Sequence, residues 1–459
     1  MIERTRTSAP RRGAVLVTLC LGVLIAQIDT SVVNLAVRPI SDALGVGVAA
    51  LQWVVDGYNL AYALLLLTGG LLGDLYGRRR IFVAGVAVFS LGCLGCGLAP
   101  NVAVLILGRA VAGLGAALLL PSSLAILRVI WTDPAGRGRA LGIWAGCNGL
   151  AFALGPTLGG LLIEGFGWRS VFLIVLPVGA LACVLAWRSV PESADPKGRS
   201  FDLGGQVLGA LALGGLALAA IEGREAPHLL VVVLPLAVVA TALFLWVERR
   251  QGEAALVPLD LFRQRAFVGA VVATAAMTFG MYGLLFLVPL SWQGGANGTA
   301  PLTPVDAGLG LLPMALAFVL VSSRSGALVQ RVGARATTAG GTALIGAGLL
   351  VMALTEAGRP MSLAQVGLLL AGIGMGVNTA PLLGVAVAAV PSARSGTASA
   401  LINVARMVGA TLGVAVLGAL YALKGSGVAG LTTAMLAGGS VQLTGAAVAW
   451  VMIHREAAG

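Results

Sequence analysis

Asp29, Asp56 and Arg109 stand inside long apolar runs. A charge there is costly, about 2.5–3.5 kcal/mol at the middle of a membrane-embedded helix. A carboxyl withdrawn from water can take a proton in one setting and release it in another. One such acid holds either a proton or a cationic ligand, not both, which is the minimum needed to couple their movements. At 1.5 Å per residue, Asp56 falls about 7 Å below the start of its run and Asp29 about 12 Å before the end of its own. There the two can face one another across adjacent helices. The structural alternative for each is an ion pair with Arg109, or capping by nearby Asn and Thr side chains.

Other chemistries find less support. The two histidines, His228 and His454, lie near run ends, which leaves histidine-based hydrolysis or acyl transfer poorly supported. Five cysteines (Cys20, Cys93, Cys96, Cys147, Cys183) all fall inside apolar runs. Cys93-x-x-Cys96 has redox or metal spacing but no partner histidine, and reads as small packing residues. No enzyme, metal or cofactor is implied.

The elements that must position the charges are membrane-spanning helices. Of 459 residues, 58% are hydrophobic and 10% charged, and mean hydropathy is +0.97. No soluble domain hides so much apolar surface. Runs of about 20 apolar residues, enough to cross the hydrocarbon as a helix, recur along the chain. They lie near 14–37, 51–72, 81–99, 102–125, 141–163, 170–188, 205–221, 229–247, 266–290, 306–326, 337–355, 362–389, 399–421 and 432–453. The first follows Arg11 and Arg12, but it is too long for a secretory signal and no small-x-small cleavage site follows, so it is a retained span.

The net charge of +11 is topological. With the N-terminus inside, 22 of the 29 Lys and Arg fall on the cytoplasmic side, among them Arg128, Arg137, Arg139, Arg249, Arg250, Arg263 and Arg265. Arg38, Arg169, Arg224, Arg359 and Lys424 fall outside, and Arg109 and Arg406 inside spans. The positive-inside rule then places both termini in the cytoplasm. The predicted organisation begins with a tail over 1–13 and a six-helix bundle over 14–188. A linker over 189–204 follows, containing Pro191, Pro196 and Lys197, then two additional spans over 205–247. A second linker over 248–265 leads to a second six-helix bundle over 266–453 and a tail over 454–459.

Within each bundle a glycine-and-arginine turn follows the second span. The first is Gly70-x-Leu72-Gly73-Asp74-x-x-Gly77-Arg78-Arg79-Arg80, and its weaker echo runs Gly326 to Arg335. The repeat marks a duplicated unit of the kind transporters use. Pro121, Pro156, Pro177, Pro289, Pro313 and Pro381 interrupt spans and mark bending points. The 66 glycines, often three or four apart, serve mostly close helix packing.

The first turn resembles the signature loop of the major facilitator superfamily. Leu105-x-x-x-Arg109-x-x-Ala112-Gly113 resembles its fourth-span motif, with Ala112 where the family usually has glutamine. Gly155-Pro156-Thr157-Leu158-Gly159-Gly160 resembles the fifth-span motif that marks antiporters. Ile28 to Asn34, Gln52 to Tyr62, Trp168 to Phe172, and Gly396 to Gly409 resemble motifs of the fourteen-span drug/proton antiporter branch, in order along the chain.

The resemblance implies an all-α fold of two six-helix bundles plus two extra helices in the bacterial plasma membrane. It implies export of hydrophobic or cationic small molecules, drugs and antibiotics among them, driven by the proton gradient. Proton coupling is expected at Asp29, Asp56 and Arg109, and a conformational latch at Gly70, Asp74, Gly77, Arg78 and Arg79. A pliable antiporter segment is expected at Gly155, Pro156, Gly159 and Gly160. Trp53, Tyr58, Asn34, Asn403 and Arg406 are candidates for a substrate cavity, with Trp144, Phe152, Phe279, Tyr282 and Phe286 as possible linings. Glu164, Glu222, Glu225, Asp306 and Glu356 lie at span ends, where solvated charge is the default. The partners implied are a small-molecule substrate, protons and the lipid bilayer, with no nucleic acid and no obligate protein. Two alternatives stand beside this: a narrow exporter of one natural product conferring self-resistance, and a non-transporting membrane sensor.

Overall fold

The computed structural model describes residues 12–195, 202–223, 225–251, 255, 257–295, 300–354, 361–391 and 394–453. Arg11, Pro196, Lys197, Arg224, Glu356, Arg359 and His454, and the tails beyond 12 and 453, lie outside the described residues. Among the described residues there are helices and no strands. The first half holds α1 (Arg12–Leu44), α2 (Val48–Tyr76), α3 (Arg78–Gly97), α4 (Val102–Ile130), α5 (Pro134–Phe166), α6 (Ser170–Leu173) and α7 (Val175–Ser189). Next come α8 (Leu203–Glu222) and α9 (Pro227–Gln251). The second half holds α10 (Arg265–Gln293), α11 (Pro304–Ser322), α12 (Ser325–Val332), α13 (Ala334–Ala353), α14 (Met361–Ala388), α15 (Ser395–Leu423) and α16 (Val428–Met452).

Among the described residues fourteen helices are long and apolar enough to cross a membrane, α6 and α7 counting as one. The break between those two falls where Pro177 cannot donate to the Leu173 carbonyl. Helix starts follow local chemistry. Asn101 caps α4 by accepting from Val104 N at 3.0 Å, and Asp202 caps α8 by accepting from Gly205 N at 2.8 Å. The tenth span ends earlier than its apolar run, at Ser322. Ser322, Ser323 and Ser325 turn their hydroxyls back onto carbonyls three residues earlier, and the echo segment forms its own short helix, α12.

The duplication is visible in the packing. In the first half α1 packs on α5, α2 on α4, α3 on α4, and α3 on α7; in the second, α10 packs on α15, α11 on α14, α13 on α14, and α13 on α16. The halves meet through α5 with α11 and α2 with α15, a reciprocal pair under the same relation. Helices α8 and α9 pack on each other, and α8 lies against α2 and α15. Much of α9 presents exposed Val and Leu, as a lipid-facing helix does.

Cross-half contacts gather at one end. Gln293 Nε2 on α10 donates to the Leu35 carbonyl on α1 at 3.1 Å. Gln52 Nε2 on α2 donates to the Val414 and Ala415 carbonyls on α15 at 2.8 and 2.7 Å. A Cβ on Gly160 of α5 would lie 2.7 Å from the Pro304 carbonyl oxygen of α11. This is the end opposite the Gly77 turn.

Candidate functional site

Helices α1 and α2 run further than their apolar cores suggested, because Pro39 is accommodated inside α1 and α2 begins at Val48. Asp29 therefore stands near the middle of α1, and Asp56 about 12 Å below the start of α2 at 1.5 Å per residue. Asp29, Asp56 and Arg109 are 1%, 0% and 1% exposed, so their partners decide what they can do.

Arg109 on α4 is fully occupied. Its Nη1 donates to Asp29 Oδ2 at 2.6 Å and its Nε to the Val54 carbonyl at 2.9 Å. The guanidinium lies over the Tyr58 ring, 4.6 Å from its centroid, with Phe172 at 5.9 Å. Arginine's planar fork suits this setting: two directed bonds in its plane and aromatic faces beside it. Cys93 Sγ approaches Asp29 Oδ1 at 3.9 Å, while Cys96 Sγ points to the Leu105 carbonyl at 3.6 Å.

Asp56 is placed differently. Its Oδ1 accepts only a long bond from Asn59 Nδ2 at 3.4 Å, and Oδ2 has no hydrogen-bond partner. No hydrogen bond joins it to Asp29 among the described residues. Gln52, one turn above, is bonded to α15, and Tyr62, below, lies within electrostatic reach of Arg406 on α15. The two helices thus run antiparallel, which puts Asp56 on the stretch of α2 that packs on α15, where Thr411 is a buried hydroxyl also without a partner. Asp56 sits in the seam between the halves; Asp29 and Arg109 sit within one half.

The fifth-span motif lies between α1 and α11. A side chain on Gly155 would collide with Ser31, and a Cβ on Gly159 would come to 2.7 Å from Val32 Cγ1. Gly308 of α11 is pressed against the Pro156 carbonyl. Small residues let three helices converge here, and Pro156 leaves the Phe152 carbonyl without its helical donor.

The Gly77 turn is built as two helices meeting at one residue. Gly77 has φ 110° and ends α2 while starting α3; Gly333, φ 84°, does the same between α12 and α13. Asp74 Oδ1 accepts from Arg78 Nη2 at 2.7 Å and Nε at 3.0 Å. Gly70 lies near Pro121 of α4. A residue that the sequence did not single out completes the turn: the Glu192 carboxylate accepts from Arg79 N and Arg80 N at 3.0 and 3.2 Å. It caps α3 from the segment that follows α7.

The candidate cavity residues separate. Trp53 Nε1 donates to Glu222 Oε1 of α8 at 2.8 Å, so Trp53 faces the added pair. Tyr58 is buried under Arg109 and touches Tyr62, centroids 6.1 Å apart. Asn34 is buried, its Nδ2 bonded back to the Thr30 carbonyl at 3.1 Å. Asn403 and Arg406 are partly exposed in mid-span, as are Tyr62, Tyr282, Gln27 and Asn148. Gln27 Nε2 donates to Asn148 Oδ1 at 2.5 Å between α1 and α5. Polar groups left partly exposed at that depth need water or a polar partner to satisfy them. Phe152 and Phe318 meet edge to face across the halves at 5.2 Å. Phe286 is fully buried. Asp306 is exposed in the first turn of α11, its N–H donating to Thr303 Oγ1, the cap of that helix, at 3.1 Å; Glu164 and Glu225 are exposed.

Duplicated six-helix halves that meet through reciprocal helix pairs, with polar side chains at mid-span depth, define a transporter architecture. The Major Facilitator Superfamily model matches residues 19–414, and the chain belongs to that superfamily. It is 39% identical over 398 residues to the multidrug resistance protein Stp of Mycobacterium tuberculosis, covering 86% of this chain and 73% of that one. It is 32% identical over 401 residues to the methylenomycin A resistance protein of Streptomyces coelicolor, covering 87% and 83%. A crystal structure of a bacterial homologue of the human lysosomal transporter Spinster, inward-facing and occupied, aligns with a TM-score of 0.70 at 17% identity. It covers 98% of this chain and 100% of that one, and shows the shared fold. The protein is a multi-pass protein of the bacterial plasma membrane.

Proposed function

We propose that the protein is a secondary active exporter of hydrophobic or cationic small molecules, drugs and antibiotics among them, working by proton antiport. The observation that carries this is Asp56: a carboxyl buried in the seam between the halves, with one oxygen unpartnered. The protonation state of such a group changes when the seam opens to water and closes again. Proton binding at Asp56 then accompanies closure of α2 onto α15, and proton loss accompanies opening. Asp29 and Arg109 hold α1 against α4, so that the half moves as a body, and complete the coupling set.

On this reading both termini are cytoplasmic, and the end closed by Gln52, Gln293 and Gly160 faces outward. The Asp74–Arg78–Glu192 turn lies at the cytoplasmic side and latches the halves in the opposite state. The halves are the bundles over 14–188 and 266–453, and the added pair over 205–247 flanks their seam.

The test is proton movement in proteoliposomes with an imposed pH gradient and a trapped pH dye. Addition of hydrophobic drugs from a broad panel is expected to accelerate collapse of the gradient for wild type and not for Asp56→Asn. Unaltered drug-dependent proton flux in the variant would remove Asp56 from the coupling path. A narrower reading, export of one natural product, draws support from relatives named for resistance to single antibiotics: methylenomycin A, tetracenomycin C and puromycin. Wild-type response to one compound in the panel, and no other, would favour it.

A further inference from the structure

Two arginines lie inside spans, and the fold treats them in opposite ways. Arg109 has a carboxylate, a carbonyl and two aromatic faces. Arg406, in α15, forms no ion pair and no hydrogen bond among the described residues, and its Nε is buried without a partner. The span-embedded acids do not serve it: Asp29 is bonded to Arg109, and Asp56 to Asn59. An arginine keeps its charge and carries five donors. Leaving its buried Nε unpaired at mid-membrane depth is costly.

The surroundings of Arg406 are specific. The phenols of Tyr62, from the first half, and Tyr282, from the second, lie within electrostatic reach of its guanidinium. All three side chains are partly exposed. The arginine therefore stands on α15, the helix that packs against α2 of the other half, with the two phenols as its electrostatic neighbours. Gln27 with Asn148, a polar pair at similar depth between α1 and α5, is neutral.

We propose that Arg406 anchors the transported molecule, and that the molecule carries an anionic oxygen, a carboxylate or an acidic enol or phenol, on an apolar or aromatic body. The guanidinium fork takes such an oxygen through paired charge-assisted bonds, which a lone aromatic cage could not supply. The tyrosine rings cover the body of the molecule while their hydroxyls face the anion. This deepens the export reading and rests on the space between the halves being the substrate path. It narrows the expected cargo: the free charge bordering that space is positive, so a cationic group has no counterpart there among the described residues.

Equilibrium binding tests the proposal without a gradient, so it fails or stands separately from antiport. Purified protein in phosphatidylcholine nanodiscs is titrated with benzoate, salicylate and 2-naphthoate, each beside its methyl ester. Wild type is expected to bind at least one acid more tightly than its ester. Arg406→Gln should weaken that acid about tenfold or more, the loss of one charge-assisted bond, and leave the ester unchanged. Arg406→Lys should retain part of the preference. Unchanged ester binding, with Arg406→Lys as a second variant, shows that the site is still folded. The proposal is overturned if no acid binds more tightly than its ester, or if Arg406→Gln keeps the preference. Loss of acid binding when phosphatidylglycerol is added to the disc would assign the site to a lipid headgroup and overturn the cargo assignment.

Discussion

Arg109 on α4 reaches Asp29 on α1 across 2.6 Å, with both side chains sealed from solvent. The pair is bound on every side, by the Val54 carbonyl, the Tyr58 face and the Phe172 ring. Such a pair is costly to bury and costlier to break, since losing one partner strands the other.

That asymmetry gives the first prediction. Asp29→Asn and Arg109→Gln should each lower stability, by about 3–5 kcal/mol for a buried pair broken on one side. The double variant should be less damaged than the sum of the singles, because no charge is stranded. Thermal unfolding of purified protein in detergent checks this; singles as stable as wild type would show that the pair holds nothing together.

A second prediction concerns pH and the seam. An ionised Asp56 has no partner when α2 closes on α15. Closure at the Gln52 end should therefore be favoured as pH falls and lost as pH rises. Asp56→Asn should stay closed at every pH. Reactivity of a cysteine introduced at Leu51, buried at that end in the closed state, read with a water-soluble thiol reagent, measures the closed fraction; parallel pH profiles for wild type and variant would contradict the assignment.

The fifth span supplies a third. A Cβ at Gly160 meets the backbone of Pro304 and Val305, which cannot swing aside as a flexible side chain would. Gly160→Val should separate α5 from α11 at the closed end and slow transport, while Gly165→Ala, with open space around it, should do little. Drug-dependent proton flux for the two variants, normalised to the amount reconstituted, separates a packing requirement from a general intolerance of change.

A fourth concerns Glu192. Its carboxylate satisfies two N–H groups at the start of α3. Glu192→Ala should loosen that turn by about 1 kcal/mol, the usual worth of an N-terminal cap. Faster amide exchange at residues 78–81, with exchange in α13 unchanged, is the expected result.

What the sequence determined by itself is the class of molecule. Span length, the Gly77 turn with its echo at Gly333, and the order of motifs follow from local rules: apolar runs must become helices in lipid, and glycine permits a positive φ. Burial of Asp29, Asp56 and Arg109 was legible for the same reason, since each lies within an apolar run. Partnership was not. Spacing along the chain cannot tell that Arg109 chooses Asp29 and leaves Asp56 alone, that Trp53 turns to Glu222, or that Glu192 returns to cap α3. Those contacts join residues up to 169 positions apart, and only the packing of α1, α2, α4 and α8 brings them together. The same holds for Arg406. The sequence placed a charge inside a span, and the tertiary structure left that charge between Tyr62 and Tyr282 with nothing of its own to bind.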